Sequence, residues 1–408
     1  MSTGDGMNHG SQADDRGDHA IMDRNNARPE TIAAQAMGWI DQATRAVVPP
    51  IHVSSTYLRD EDNQFRSGRM YMRADNPVFD QAQAVLTELE HGVDSLLFAS
   101  GMAAATAVFQ ALAPGDHVLA PKVMYWSLRN WLVEFASRWG LQVELVDMTD
   151  PARVQAAILP GRTRLLWIET PANPLWTITD IEATAAIARA AGARVAVDST
   201  VASPVLTRPL TLGADLVMHS ATKYLNGHSD LTAGALVTRE KGDFWQRIRN
   251  VRIQLGGTLG SFESWLLLRG MRTVHLRVRA ASASAQRLAE HFHGHALVRE
   301  VLYPGLTGAH GHAVAARQMT GGFGGMLSIR VAGGAAAAVA TAAGVGVWKR
   351  ATSLGGTESL IEHRASLEGA GTPVPDDLLR LSVGIEHSQD LIDDLEQALR
   401  RAHRGAHA

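Results

Sequence analysis

The chain has no cysteine in its 408 residues. Disulfides, thiolate nucleophiles, iron–sulfur clusters and cysteine-bound zinc are thereby excluded, and redox compartment leaves no trace. Charge of one sign is also missing. The 38 lysines and arginines against 41 acidic residues give a net charge of -3, no footprint for nucleic acid or an anionic membrane. No apolar run approaches the roughly 20 residues that span a bilayer, so no membrane partner is expected. The polar segment from Met1 to about Glu30 lacks a signal-peptide core, so a cytoplasmic location is expected. The 17 histidines show no metal-ligand spacing. His310, His312, His403 and His407 read as solvated loop and terminus residues, and no metal is expected. What is present, 46% hydrophobic and 19% charged residues, suits a soluble enzyme or small-molecule binder.

The length exceeds the roughly 250–300 residues at which single cores stop growing, so two globular units are expected. The polar leader is followed by Thr44 to Tyr57, whose paired prolines favour an extended arm of the kind that reaches a neighbouring subunit. Residues 1–70 are thus expected to form a disordered leader and arm. From residue 94 short apolar runs recur: Ser95–Ala99, His117–Ala120, Val143–Val146, Leu165–Ile168, Val195–Val197, Leu216–Met218 and Ala235–Val237. Helical patterns at Met102–Ala113, Ser127–Trp139 and Asp180–Ala191 separate several of them. Strand and helix alternating at this interval predict an α/β domain over 71–255 with a mostly parallel sheet, its functional loops at the strands' carboxyl ends. Beyond residue 255 one long helix from Phe262 to about His293 is expected. Strands near Val298–Tyr303, Met326–Val331 and Leu378–Val383 and a last helix, Gln389–His403, complete a smaller α+β domain over 256–408. The Gly-rich stretch 321–325 precedes a strand and reads as a turn, and Ala335–Ala343 as a packed surface helix.

Several strand ends carry chemistry. Lys223 follows the apolar run Leu216–Met218, where desolvation lowers a lysine's pKa toward its nucleophilic form. That is where a pyridoxal phosphate enzyme keeps its Schiff-base lysine, and Ser220 and Thr222 beside it are phosphate donors. Asp198 ends another strand, as a loop carboxylate or as partner of a protonated pyridine nitrogen. Ser100, Gly101 and Met102 stand at a strand-to-helix junction, a plain glycine turn or an anion cradle. Tyr125 is either a corner aromatic or a ring-stacking proton shuttle. Arg380 interrupts an apolar strand, and either an internal salt bridge or a substrate carboxylate satisfies it. Tyr71 and Arg73 share one side of an extended segment, as a solvated loop or a phosphate contact.

Seven ordered motifs carry a resemblance: Tyr71-Met-Arg73, Phe98-Ala-Ser-Gly-Met-Ala, Glu169-Thr-Pro-Ala-Asn173-Pro, Val197-Asp198-Ser-Thr, Ser220-Ala-Thr-Lys223-Tyr-Leu-Asn-Gly-His, Ser353-Leu-Gly-Gly-Thr-Glu-Ser-Leu and Arg380-Leu-Ser-Val-Gly-Ile-Glu. Over residues 44–400 the chain resembles the Cys/Met-metabolism family of pyridoxal phosphate enzymes. The resemblance implies fold type I of the pyridoxal-phosphate-dependent transferases, with a mostly parallel seven-stranded sheet. It implies pyridoxal 5'-phosphate as cofactor and Lys223, Tyr125 and Asp198 as catalytic residues. Ser100, Gly101, Met102, Ser220 and Thr222 would hold the phosphate. Asn173 would bind the ring oxygen side, and with Ser353 and Arg380 the substrate. It further implies a homotetramer with active sites at subunit interfaces, where Tyr71 and Arg73 reach the neighbouring subunit's cofactor phosphate.

The implied reaction is γ-elimination or γ-replacement on a γ-substituted L-amino acid of the homoserine or homocysteine type. An O-acylhomoserine sulfhydrylase and a cystathionine β-lyase are the alternatives within the family. An aminotransferase, or a cofactor-binding regulator, is the reading of a different class. Thr352 stands where cystathionine-acting relatives commonly have Glu, and Ser127 where methionine γ-lyases often have Cys. Trp126 and Leu128 replace smaller residues beside Tyr125 and are expected to reshape the distal pocket, as a planar cover for a flat leaving group such as the guanidinooxy group of canavanine.

Overall fold

All seven apolar runs form strands of one sheet in the computed structural model, which describes residues 27–369 and 372–405. They are β1 (Asp94–Phe98), β2 (His117–Pro121), β3 (Gln142–Val146), β4 (Thr163–Glu169), β5 (Arg194–Asp198), β6 (Leu216–His219) and β7 (Gly234–Thr238), in the order β1-β7-β6-β5-β4-β2-β3. Only β7 runs antiparallel to its neighbours β1 and β6; the rest pair in parallel. Except in the edge strand β3, whose positions alternate between exposed and half-buried, the runs are continuous because both faces are covered. Leu166, Ile168, Val195, Val197 and Val217 pack into one core cluster, while their neighbours Leu165, Trp167, Ala196, Leu216 and Met218 pack into another. Each of these large side chains contributes roughly 1.5–3 kcal/mol on burial.

Local signals set the flanking helices. Helix Pro77–Leu89 starts where the Asn76 side chain accepts the Val78 N–H at 3.0 Å, with proline in its first turn. Its residues Val78, Phe79, Ala82, Val85, Leu86 and Leu89 recur at helical spacing and are buried. Ser100 caps helix Gly101–Gln110 and Asp180 caps helix Ile181–Ala190, each accepting a backbone N–H at 3.1 Å.

A second, smaller sheet follows: β8 (Val298–Leu302), β9 (Met326–Val331), β10 (Lys349–Arg350), β11 (Leu360–His363) and β12 (Leu378–Ser382), in the order β10-β11-β12-β9-β8. Helices Gly334–Gly344 and Ser388–Gly405 pack together beside it, and residues 319–325 form the turn expected before β9. The long helix expected from Phe262 is broken into Ser261–Met271 and Val274–Phe292. Gly270 and Arg277 explain the break. A Cβ on Gly270 would lie 2.3 Å from the Asn226 carbonyl, and Arg277 spans the gap, donating to the Gly270 and Tyr224 carbonyls at 2.7 Å each. The break therefore clamps the turn that carries Lys223.

Residues 1–26, most of the expected leader, lie outside the described residues, as does His407. Residues 29–34, assigned to leader and arm, are instead helical, with Glu30 paired to Arg279 and the Ala34 carbonyl accepting from Arg272 at 2.9 Å. Residues 45–70 contain no helix, as expected of an arm. His312 and His403 are not free solvated side chains, because each ring bonds a backbone carbonyl: Pro304 at 2.8 Å and Ala332 at 2.7 Å. Among the described residues no helix is long and apolar enough to cross a membrane, and no cluster of side chains is arranged to hold a metal ion.

Candidate active site

The carboxyl ends of β4, β5 and β6 and the starts of two helices enclose a cavity of about 270 Å³. On one side, helix Gly101–Gln110 begins with Ser100 as its cap, so the first backbone N–H groups, at Gly101 and Met102, have no partner within the helix. Ser220 faces them so closely that a Cβ on Gly101 would lie 2.7 Å from its hydroxyl oxygen. Glycine is required there by approach, not by turn geometry. Thr222 is tied to the start of β7, its hydroxyl accepting the Ala233 N–H at 2.9 Å and donating to the Ala233 carbonyl at 3.1 Å. Hydroxyls and free N–H groups at a helix start make an anion cradle.

Asp198 ends β5, 8% exposed. One oxygen accepts the Thr200 N–H at 3.0 Å, and the Thr200 hydroxyl accepts the Ser220 N–H at 2.8 Å, so β5 and the loop after β6 are fastened together. Burial pushes the Asp198 carboxyl up, against the hydrogen bonds from Thr200. Tyr125 stands at the start of helix Trp126–Glu134, 42% exposed, and lines the same cavity.

Lys223 sits between these groups and the smaller sheet. Its amine donates to the Ser353 hydroxyl at 2.7 Å. Burial, with the charges of Arg380 and Arg364, pushes the amine down to about 8, against the pull of Glu362. Ser353 is held in a left-handed conformation, φ +89°, which costs a non-glycine residue on the order of 1–3 kcal/mol. Arg380 keeps it there by donating to its carbonyl at 2.8 Å. In β12 Arg380 faces Glu362 of β11 and pairs with it at 2.7 Å, so the internal salt bridge exists. Glu362 also binds Arg364 at 2.9 Å. Arg380 Nη1 lies 3.4 Å from Asn173 Oδ1, while its buried Nε has no partner. The guanidinium is therefore not saturated by its partners among the described residues.

Eleven of the residues singled out in the sequence, from Ser100 to Arg380, thus line a single cavity. Tyr71 and Arg73 do not. Tyr71 is 45% exposed, bridged to Thr56, and Arg73 donates to the Ile253 carbonyl at 3.2 Å. Of the residues expected to shape the distal pocket, Thr352 and Leu128 line the cavity. Trp126 turns into an adjoining one with Lys122, Arg129 and Glu134, so within one chain it does not cover Lys223.

The family described as Cys/Met metabolism PLP-dependent enzyme matches residues 30–400. The chain belongs to this family. It is 45% identical over 377 residues to a cystathionine γ-synthase of Mycobacterium tuberculosis, covering 91% of this chain and 96% of that one. It is 40% identical over 367 residues to a cystathionine γ-lyase of Bacillus subtilis, covering 88% and 96%. A solved cystathionine γ-synthase from Xanthomonas oryzae pv. oryzae, in complex with aminoacrylate and cysteine, superposes with a TM-score of 0.88 at 39% identity, covering 93% of this chain and 99% of that one. The chain is accordingly a pyridoxal-phosphate-dependent enzyme of the trans-sulfuration type, with the expected fold. Its cavity fits that cofactor: a cradle that a single Cβ on Gly101 would fill, a buried carboxylate, a lysine of lowered pKa and an unpartnered guanidinium N–H.

Two contributors escaped the sequence reading. Thr200 links Asp198 to Ser220, and Glu169, 5% exposed at the end of β4, accepts the backbone N–H groups of Tyr125 and Asn173 at 2.7 and 2.9 Å. Glu169 had a readable signal. Like Asp198, it is a carboxylate that closes an apolar strand.

Proposed function

We propose that this chain catalyses γ-elimination or γ-replacement on a γ-substituted L-amino acid of the homoserine or homocysteine type. The observation that carries it is the Lys223 amine, lowered to about 8 and 2.7 Å from Ser353, in the same cavity as the buried guanidinium of Arg380. The cystathionine γ-synthase and γ-lyase among its relatives support the γ-chemistry.

Bound pyridoxal phosphate would supply an aldehyde for the substrate amine and a ring that withdraws electrons from Cα. Ser100, Gly101, Met102, Ser220 and Thr222 are the residues to hold its phosphate, and Asp198 its pyridine nitrogen. A cation facing Asp198 would reverse the upward push of burial on that carboxyl. Arg380, steadied by Glu362, is the cation to meet the substrate α-carboxylate, a charge-assisted bond worth about 1.5–3 kcal/mol. Lys223 Nζ, neutral above about pH 8, accepts the Cα proton, would hand it to the cofactor carbon that bears the substrate, and, neutral again, accepts one from Cβ. Tyr125 Oη donates the proton with which the γ-substituent leaves. A nucleophile entering at Cγ completes replacement; release of a 2-oxo acid and ammonia completes elimination.

Thr352 lines the cavity and offers no carboxylate to a distal ammonium group, which favours leaving groups without one. We assign Tyr71 and Arg73 to the cavity of a second copy in a homotetramer. The exposed apolar side chains Val47, Val53, Leu58 and Met70 along the arm support that assembly, since among the described residues of one chain nothing covers them. Mass photometry tests it directly: a tetramer is expected, and a monomer that is fully active would end the assignment.

The decisive assay follows 2-oxobutanoate, homoserine and ammonia from a panel of γ-substituted amino acids, with cystathionine, O-acylhomoserines plus a thiol or sulfide, and canavanine among them. Products of γ-chemistry are expected. Pyruvate from β-substituted substrates would assign a β-lyase, and turnover that depends on a 2-oxo acid acceptor would assign an aminotransferase.

A further inference from the structure

Glu169 and Asp198 are register partners at the ends of the parallel strands β4 and β5, two carboxylates side by side, 5% and 8% exposed. Asp198 faces the cavity for a reason already given. Glu169 also lines it, yet both of its oxygens are turned to the backbone. Oε2 accepts the Tyr125 N–H at 2.7 Å, and Oε1 accepts the Asn173 N–H at 2.9 Å. Those N–H groups belong to different loops, 48 positions apart by residue number. No side chain caps the helix that starts after Tyr125, so Glu169 is what holds the N–H of that residue. Asn173 in turn meets Arg380 through its side chain.

We propose that Glu169 is a positioning residue, whose two oxygens fix the ring of Tyr125 and the amide of Asn173 relative to one another. The inference rests on the roles given above to those two residues. A carboxylate is costly at this place. Burial and the neighbouring Asp198 raise the Glu169 carboxyl to about 8, although the two N–H donors oppose that shift. Glutamine would have the same shape without that penalty, but its amide has one acceptor and one donor end, and the donor would face an N–H. Only a carboxylate accepts from both loops. Tyr125 is 42% exposed, so packing does not immobilise its ring, and its backbone is held at both ends, the N–H by Glu169 and the carbonyl by the Arg129 N–H at 3.0 Å.

The test is a set of holoenzyme variants: E169Q, E169D, Y125F, N173A and the double E169Q/Y125F. Far-UV circular dichroism and melting report folding, tryptophan quenching reports pyridoxal phosphate affinity, and visible circular dichroism of the bound cofactor reports ring placement. Steady-state kinetics separate kcat from KM. E169Q is expected to fold, to bind pyridoxal phosphate within about tenfold of the parent, to change the visible dichroism, and to lose about 10–100-fold in kcat, the scale of an ångström-sized misplacement. E169D, with both acceptors kept, should recover part of that loss, and E169Q should cost little more once Tyr125 is already Phe.

Parent-like kcat and visible dichroism in E169Q would overturn the proposal, as would losses that simply add to those of Y125F. If neither E169Q nor E169D folds, Glu169 is a folding residue and the positioning role is wrong. Should Y125F and N173A themselves work at parental rates while E169Q does not, the roles of those two residues fail, separately from Glu169.

Discussion

The inner and outer halves of this site are built differently. Around Lys223, Asp198, Glu169 and Arg380, every group is buried or nearly so and held by a named partner, and the strand ends fix the loops. Around Tyr71, Arg73 and the arm, side chains are exposed, and Arg73 has a single bond to a carbonyl. Pre-organised donors in a low-dielectric site act strongly because nothing must rearrange around them. One chain supplies that condition for the Lys223 amine and for Asp198, the proposed ring partner, but leaves the mouth open. The comparison separates chemistry, which belongs to one fold, from closure of the cavity, which under the proposed assembly belongs to two.

Substitution of the inner half should give the largest effect. Lys223→Ala is expected to lower kcat by at least about 10⁴-fold, measured under single-turnover conditions, because both the nucleophilic amine and the base are removed. Activity within tenfold of the parent would break the distinction between the halves. A smaller effect is expected at the edge of the inner half. Arg380→Lys keeps the charge but not the fork, so KM for the amino acid should rise about 10–100-fold with pyridoxal phosphate affinity unchanged.

The pH dependence sharpens the same contrast. The Lys223 amine titrates at about 8 when folded and near 10.5 when unfolded. Between those values the unfolded chain holds the extra proton, so apoprotein stability should rise with pH from about 8 to 10.5. Denaturant titrations across that window check it, and Lys223→Met should flatten the rise. A rise of equal size in that variant would locate the titration elsewhere. The smallest effect belongs to the outer half: Arg73→Ala should weaken pyridoxal phosphate binding about tenfold, the scale of one lost charge-assisted contact. An effect as large as that of Lys223→Ala would show that the mouth does more than close.

The large sheet was legible because its strands, the edge strand β3 apart, are buried on both faces and read as uninterrupted apolar runs. In the small sheet β9 and β12 were legible because they are almost wholly buried, and β8 by its spaced valines, but not β10, two exposed cations, nor β11, whose half-buried Glu362 pairs with Arg380 and Arg364. The helix break at residues 272–273 was hidden because it is set by the approach of Asn226 to Gly270, a tertiary contact with no local period. Cavity residues were legible where a strand end carries a distinctive type, as at Lys223 and Asp198. Thr200 was not, since its hydroxyl meets the Ser220 N–H on another loop and periodicity says nothing about that, whereas Glu169 closes an apolar strand as Asp198 does and was passed over.

Borohydride reduction of the protein reconstituted with pyridoxal phosphate, followed by peptide mass spectrometry, tests the central claim that Lys223 is the amine that holds the cofactor. The cofactor mass is expected on the peptide carrying Lys223 alone. Its appearance on Lys122, Lys241 or Lys349 instead, or on no lysine of a protein that is nevertheless active, would contradict it.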